Sequence, residues 1–138
     1  MNQVLTTSVL GLGLMVAGCA TAQSVPVQKA AYVFAENEQC PNNLTLKVGQ
    51  YIEYRVYENV TTGYMWSLDH KLNHFNAKAT YKPLEPTDPP IVGAGNDKNF
   101  IFTAIKPGKE TIQMKYSRTW ENSVEPAHSW KCSVTITE

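Results

Sequence analysis

The side chains of this 138-residue chain best suited to chemistry are its three histidines and three cysteines. Asp69, His70 and His74 lie close together in sequence, and such groups can bind a metal ion. That spacing would bring the ligands together on a helix, whereas the surrounding residues predict a strand and a turn. Cys40 and Cys132 have no histidine nearby in sequence, so neither resembles an activated nucleophile. We therefore predict no metal site, no cofactor and no catalytic residue, and a protein that is not an enzyme.

The N-terminus has the features of a lipoprotein signal peptide over residues 1–18. The apolar run Val9–Ala17 is too short to span a bilayer and fits the hydrophobic region of a signal peptide. Val16-Ala17-Gly18-Cys19 resembles a bacterial lipobox, in which the cysteine becomes the lipidated N-terminus after cleavage. We therefore expect lipidation at Cys19 and a lipid anchor as the chain's one contact with a membrane.

Residues 19–38 then form the lipidated N-terminus and a tether. We expect the chain to be exported and anchored to the bacterial envelope, in the outer membrane because Ala20, and not Asp, follows the cysteine. Residues 1–7 contain no Lys or Arg, which is unusual for a signal peptide. An ordinary cleaved signal, cut after Ala22, is therefore the alternative.

The two remaining cysteines predict a disulfide. If Cys19 carries lipid, Cys40 and Cys132 form an even pair in an oxidising compartment, where such pairs are usually bridged. The bridge would join the start of the folded domain, residues 39–138, to its last strand. Two buried free thiols are the alternative.

Beyond residue 40, apolar residues recur at every second position, which is typical of half-buried strands. The predicted strands are Leu44–Val48, Tyr51–Tyr57, Tyr64–Asp69, Phe75–Tyr81, Phe100–Ile105, Thr111–Ser117 and Trp130–Ile136. Pro107-Gly108 suits the centre of a type II turn and predicts a hairpin between the fifth and sixth of these strands. We predict an all-β, immunoglobulin-like β-sandwich of about seven to eight short strands, with Trp66 in its core.

Three predicted loops contain residues suited to binding another protein. Loop 1 is Asn59–Gly63, a turn of small polar residues that ends in a flexible glycine. Loop 2 is Gly93–Asn96, whose backbone we expect to be exposed. Loop 3 is Arg118–Glu121, which contains Arg and Trp, the residue types most enriched at binding hot spots. Taken singly, each is explained equally well as a connector, a flexible segment or a stacked Arg–Trp pair.

Together the three loops resemble the signature of the chagasin family, which inhibits papain-like cysteine proteases. The family patterns are Asn-Pro-Thr-Thr-Gly followed by Tyr or Phe, Gly-x-Gly-Gly, and Arg-Pro followed by Trp or Phe. This chain keeps the other positions and has Val60, Asn96 and Thr119 in place of a proline, a glycine and a proline. The resemblance covers most of residues 42–138.

The resemblance implies a monomeric, reversible and non-covalent protein inhibitor that occludes the active-site cleft of a papain-like cysteine protease. The protease-binding residues that it implies are Asn59, Thr61, Thr62, Gly63, Tyr64, Gly93, Ala94, Gly95, Arg118 and Trp120. The replaced prolines remove a restraint on φ at two positions, so we expect a weaker or slower inhibitor than an intact family member.

Two other functions compete with this one. A lipid-tethered, immunoglobulin-like structural or adhesive module would need no protease, and an inhibitor could instead act on another hydrolase such as lysozyme. Nucleic acid is not an expected partner, because 12 basic residues balance 12 acidic ones and form no basic patch.

Overall fold

The computed structural model describes residues 28–82 and 85–138. The predicted signal peptide, the lipidation at Cys19 and residues 19–27 of the predicted tether lie outside these residues. Within them, no helix is long and apolar enough to cross a membrane.

The described residues form two four-stranded sheets. The strands are β1 Tyr32–Ala35, β2 Leu44–Lys47, β3 Tyr51–Glu58, β4 Tyr64–Leu68, β5 Phe75–Tyr81, β6 Asn96–Ala104, β7 Gly108–Arg118 and β8 His128–Thr137. Sheet 1 has the order β1-β3-β6-β5, and sheet 2 has the order β2-β8-β7-β4. β1 runs parallel to β3 and β2 parallel to β8, while the other neighbours are antiparallel. The prediction of an all-β, immunoglobulin-like sandwich is confirmed.

Aromatic side chains fill the space between the sheets. The Tyr54 ring from sheet 1 stacks on Trp130 from sheet 2, with ring centroids 4.2 Å apart. It also meets the edge of Trp66, at 5.6 Å and an interplanar angle of 88°. Such ring pairs stabilise the fold beyond the contribution of the apolar area that they bury. Trp66 is buried, as predicted.

The predicted Pro107-Gly108 hairpin is wrong. β6 pairs with β3 and β5, whereas β7 pairs with β4 and β8, so the turn carries the chain from sheet 1 to sheet 2. Turn residues specify where the chain reverses. They do not specify whether the following strand pairs with the preceding one or packs across from it. Apolar and polar residues alternate along both strands in a hairpin and in a crossing between sheets, so the sequence pattern does not distinguish the two.

β1 was not among the predicted strands, and it lies inside the range assigned to the tether. It has only four residues, too few for a clear alternation. Phe34 is nevertheless buried, with its ring centroid 5.6 Å from that of Trp130. The sandwich therefore extends further toward the N-terminus than residue 39.

Two charged residues occupy inward-facing positions of sheet 1. Glu58 follows Val56 in the buried phase of β3, and Lys98 precedes Phe100 in the buried phase of β6. Glu58 is fully buried, and its Oε1 lies 3.0 Å from Lys98 Nζ. Sequence analysis missed this pair. The signal was available, because a charged residue continues an apolar period-two series on each strand.

The Glu58 carboxylate has hydrogen-bond donors for both oxygens. Oε1 accepts from the Tyr81 hydroxyl at 2.7 Å as well as from Lys98, and Oε2 accepts from the Trp66 backbone N–H at 3.0 Å. Burial by itself raises the pKa of the Glu58 carboxyl. The hydrogen bonds from Tyr81, Trp66 and Lys98, with the Lys98 charge, outweigh burial and hold the pKa below its ordinary value.

The Cys40–Cys132 disulfide is present, as predicted, and closes a loop between residues 92 positions apart. Nearby, Trp130 Nε1 donates to the Glu38 carbonyl at 2.9 Å, so a second contact ties the same N-terminal segment to β8.

Reduction of the disulfide should lower the free energy of unfolding by up to about 4 to 5 kcal/mol, because the cross-link restricts the unfolded chain. Thermal unfolding with and without reductant measures this, with thiol titration to verify reduction. Cys40→Ala serves as the control, whose midpoint should not respond to reductant. An unchanged midpoint in the reduced parent would contradict the prediction.

Acid should remove the stabilisation that Glu58 provides. Because the pKa of Glu58 is lower in the folded state, its contribution is complete above the unfolded value of about 4.3 and is lost as pH falls through the folded value. We expect Glu58→Gln to cost about 3 kcal/mol near neutral pH, and this difference from the parent should shrink in acid. Urea unfolding across a pH series measures it, with the partly exposed Glu53→Gln as control; a difference independent of pH would refute it.

Candidate functional site

The three loops lie at one end of the sandwich, where β3, β5 and β7 end and β4, β6 and β8 begin. Loop 1 joins β3 to β4 and therefore crosses from sheet 1 to sheet 2. Loop 2 ends the β5–β6 connection, which stays in sheet 1, and loop 3 opens the β7–β8 connection, which stays in sheet 2. The crossing loop is thus flanked by one connection from each sheet.

Loop 1 is a turn closed by hydrogen bonds among its own residues. Asn59 Oδ1 accepts from the backbone N–H of Thr61 at 3.1 Å and from its hydroxyl at 2.5 Å. The Thr62 hydroxyl donates to the Asn59 carbonyl at 2.6 Å. Gly63 closes the turn by donating its N–H to the Val60 carbonyl at 3.0 Å, with φ at +81°, a value that favours glycine. The result is a short 3₁₀ turn with exposed threonines at its tip.

Loop 1 is hydrogen-bonded to both neighbouring loops. On one side, Asn59 Nδ2 donates to the Gly93 carbonyl in loop 2 at 2.8 Å. On the other side, Arg118 Nε in loop 3 donates to the Thr62 carbonyl at 3.1 Å. Both bonds use a side chain of one loop and the backbone of another, so they fix the relative position of all three.

The guanidinium of Arg118 makes its contacts with other residues of this chain. Its guanidinium lies over the Tyr64 ring, 4.5 Å from the centroid, and its Nη1 lies 3.2 Å from Glu121 Oε1. Arg118 therefore stacks on Tyr64 and not on the nearby Trp120, the stacking partner considered from the sequence. Tyr64 is partly buried, so its ring gives the guanidinium a fixed surface to stack on.

Trp120 extends the tip of loop 1. Its indole lies so close to Gly63 that any side chain at that position would overlap the ring. Trp120 as a residue remains 66% exposed, which is unusual for a side chain with so large an apolar surface. Trp120 therefore presents an exposed aromatic surface beside the two threonines.

Loop 2 is exposed at Gly93 and Ala94 but not at Gly95. Gly95 is buried, and its N–H donates to the Tyr57 hydroxyl at 3.0 Å. The expectation of exposed backbone throughout this loop is thus wrong at Gly95, because Tyr57 covers it. Asn96, which replaces the last glycine of the family pattern, begins β6 opposite Glu58 and has no positive φ.

Exposed apolar side chains adjoin the loops, and sequence analysis did not single them out. Val92 is 96% exposed and Ile91 67% exposed just before loop 2, and Val60 is 46% exposed in loop 1. The available signal was an Ile-Val pair inside a Pro-rich connection with no strand alternation. Exposed apolar side chains that adjoin one another on a surface are typical of an interaction site.

The histidines do not converge on a site. His70 and His128 are exposed, and the His74 ring packs against Gly108 at the other end of the sandwich. Over residues 28–82 and 85–138, no group of three or more His, Cys, Asp or Glu residues is arranged to hold a metal ion.

Comparisons with known proteins place the chain among protease inhibitors. The model of the family described as chagasin family peptidase inhibitor I42 matches residues 45–134. Amoebiasin-2 of Entamoeba histolytica is 28% identical over 107 residues, which cover 78% of this chain and 86% of that protein. Chagasin of Trypanosoma cruzi is 26% identical over 88 residues, covering 62% and 77% respectively.

The fold agrees with a solved structure of the same type. The crystal structure of the cysteine protease inhibitor EhICP2 from Entamoeba histolytica superposes with a TM-score of 0.64 at 29% identity. The match covers 77% of this chain and 95% of that structure. Since the family model spans more than half of the chain, this protein belongs to the chagasin family of peptidase inhibitors.

Proposed function

We propose that this chain is a reversible, non-covalent inhibitor of papain-like cysteine proteases that occludes the active-site cleft with its three-loop end. The observation that supports this most directly is the bracing of loop 1 from both sides, by Asn59 to Gly93 and by Arg118 to Thr62. A loop held in one shape before docking loses little conformational entropy on binding. Membership of a family that contains the cysteine protease inhibitor EhICP2 gives the class of target.

The geometry supports a division of roles among the proposed protease-binding residues. Thr61, Thr62 and Trp120 are exposed and form the contact surface, with the backbone of Gly93 and Ala94 beside them. The other proposed residues hold this surface in place and contribute less direct contact: Asn59, Gly63, Tyr64, Gly95 and Arg118.

Inhibition by this surface is occlusion without a covalent step. The exposed tip offers hydroxyls, backbone and an indole, and these groups have no activated nucleophile among them. The threonine tip is narrow enough to enter a peptide-binding cleft, and the indole of Trp120 then packs against its rim. An interface of roughly 800 Å² on each partner is ordinary for a protease–inhibitor complex.

The chain is exported and held at the bacterial envelope by lipid on Cys19. The lipobox-like Val16–Cys19 supports this. Metabolic labelling with a fatty-acid analogue should label the parent and leave Cys19→Ala unlabelled, and the parent should fractionate with membranes. A parent that is unlabelled and soluble would indicate the ordinary cleaved signal.

The Cys19→Ala chain should inhibit papain and a cathepsin L-like enzyme and leave trypsin unaffected. The measurement is residual activity on a fluorogenic peptide during titration with the inhibitor. Trp120→Ala should raise the inhibition constant by about tenfold or more, as removal of a buried aromatic anchor does at other interfaces. Thr61→Arg should raise it further, because the long charged side chain does not fit the cleft.

Two matched variants control for the chemistry of these changes. Ile105→Ala removes an exposed apolar side chain at the opposite end of the sandwich, and Thr45→Arg adds the same charge at an exposed position of β2. Neither should alter inhibition. Equal effects of loop and control variants would exclude the three-loop mode of binding. Absence of inhibition by the parent would favour the adhesive module, and inhibition of lysozyme alone would favour the other-hydrolase alternative.

A further inference from the structure

We propose that Glu58 is a positioning residue for the inhibitory end: its buried carboxylate fixes the bases of loops 1 and 2 relative to each other and across the two sheets. This inference rests on the proposed function. Glu58 does not reach the exposed tip, and it acts through the residues that do.

The contacts of Glu58 lie on both sides of each connection. Glu58 is the last residue of β3 and directly precedes loop 1, while its partner Trp66 belongs to β4 on the far side of that loop. Tyr81 ends β5 and Lys98 belongs to the start of β6, so they flank the connection that contains loop 2. One carboxylate therefore joins four strands, three in sheet 1 and one in sheet 2.

Three consecutive residues, the last two of β3 and the first of loop 1, hold loop 2 and its base through their side chains. The Tyr57 hydroxyl accepts from the Gly95 N–H, and the Asn59 amide donates to the Gly93 carbonyl. Between them, Glu58 binds the strands on either side of the connection. A shift of Glu58 displaces both neighbours, and with them the contact between loops 1 and 2.

The surroundings of the ion pair favour a single geometry. Lys98 Nζ lies 5.0 Å from the centre of the Tyr81 ring and 4.9 Å from that of Phe100, so aromatic faces enclose the ammonium that Glu58 neutralises. Among the described residues, the carboxylate itself accepts hydrogen bonds from Lys98 Nζ, the Tyr81 hydroxyl and the Trp66 N–H. A buried carboxylate whose two oxygens both accept hydrogen bonds permits few alternative arrangements, whereas an apolar cluster of similar volume permits several.

A matched core variant on the same strand distinguishes the positioning of the loops by Glu58 from a general stabilisation of the sandwich. Ile52 is fully buried at the opposite end of β3, so Ile52→Ala destabilises the sandwich away from the loops. The comparison is made in the full chain with Cys19→Ala. Glu58→Gln keeps the shape of the side chain and removes its charge. Tyr81→Phe is a milder variant that removes one donor and leaves the ion pair intact.

Hydrogen–deuterium exchange of the free protein gives the first readout. In Glu58→Gln, backbone amides of loops 1 and 2 should exchange about tenfold faster or more than in the parent, as expected when a local opening becomes easier. Tyr81→Phe should give a smaller increase at the same amides, and Ile52→Ala should leave these loops as in the parent. The proposal would be overturned if the loop amides of Glu58→Gln exchanged at the parent's rate, or if Ile52→Ala showed the same increase in exchange rate.

The dissociation rate from papain gives the second readout. Glu58→Gln should dissociate about tenfold faster or more, because a loosened loop loses the advantage of preorganisation. Ile52→Ala should dissociate at the parent's rate despite its lower melting temperature, and equal acceleration in both would overturn the proposal. If the parent itself fails to inhibit, the proposed function fails, and the exchange measurement still decides whether Glu58 positions the loops.

Discussion

The placement of β3 and β4 in different sheets is the constraint on which the three-loop end depends. Loop 1 must cross the gap between the sheets within five residues, so it forms a tight turn with a left-handed glycine at its end. The β5–β6 connection of sheet 1 lies on one side of loop 1, and the β7–β8 connection of sheet 2 lies on the other. Loop 1 therefore forms a wedge, Asn59–Gly63, between two connections that each join neighbouring antiparallel strands. Its sides are reached by Gly93 and Arg118, which supply the hydrogen-bonding groups that hold it.

The base of this wedge is polar where the rest of the core is aromatic and aliphatic. An apolar pair in place of Glu58 and Lys98 would match or exceed the stability of a buried ion pair, since desolvation offsets much of the Coulomb attraction. Hydrogen bonds have directions, however, and apolar contacts do not. The donors from β4, β5 and β6 that meet one carboxylate therefore specify how the strand ends are arranged. Geometry, more than stability, explains charged residues at this position.

Sequence patterns predicted what depends on local periodicity and turn chemistry, and missed what depends on pairing across the fold. Seven strands were predicted from the alternation of apolar residues. The Cys40–Cys132 bridge was predicted because two cysteines remain for an oxidising compartment once Cys19 carries lipid. The hairpin at Pro107-Gly108 failed because a turn does not reveal which sheet receives the next strand. Gly95 was expected to be exposed because nothing near it in sequence shows that Tyr57, from another strand, covers it. The bracing hydrogen bonds of Asn59 and Arg118 likewise join residues far apart in sequence, so loop rigidity was visible only in the structure.

The same bracing bears on the two positions where the family has proline. Proline stabilises chiefly by restricting the unfolded chain, by about 0.4 to 1 kcal/mol per compatible site. With Val60 and Thr119 in those positions, that contribution is lost. The loss weakens docking only if the free loop samples other conformations within the folded protein. Loop 1 is closed by its own hydrogen bonds and bound on both sides, each bond contributing about 0.5 to 1.5 kcal/mol. For Val60, we therefore expect the cost of the missing proline to fall on the stability of the whole sandwich more than on the binding of loop 1, which revises at that position the weaker inhibition expected from the sequence.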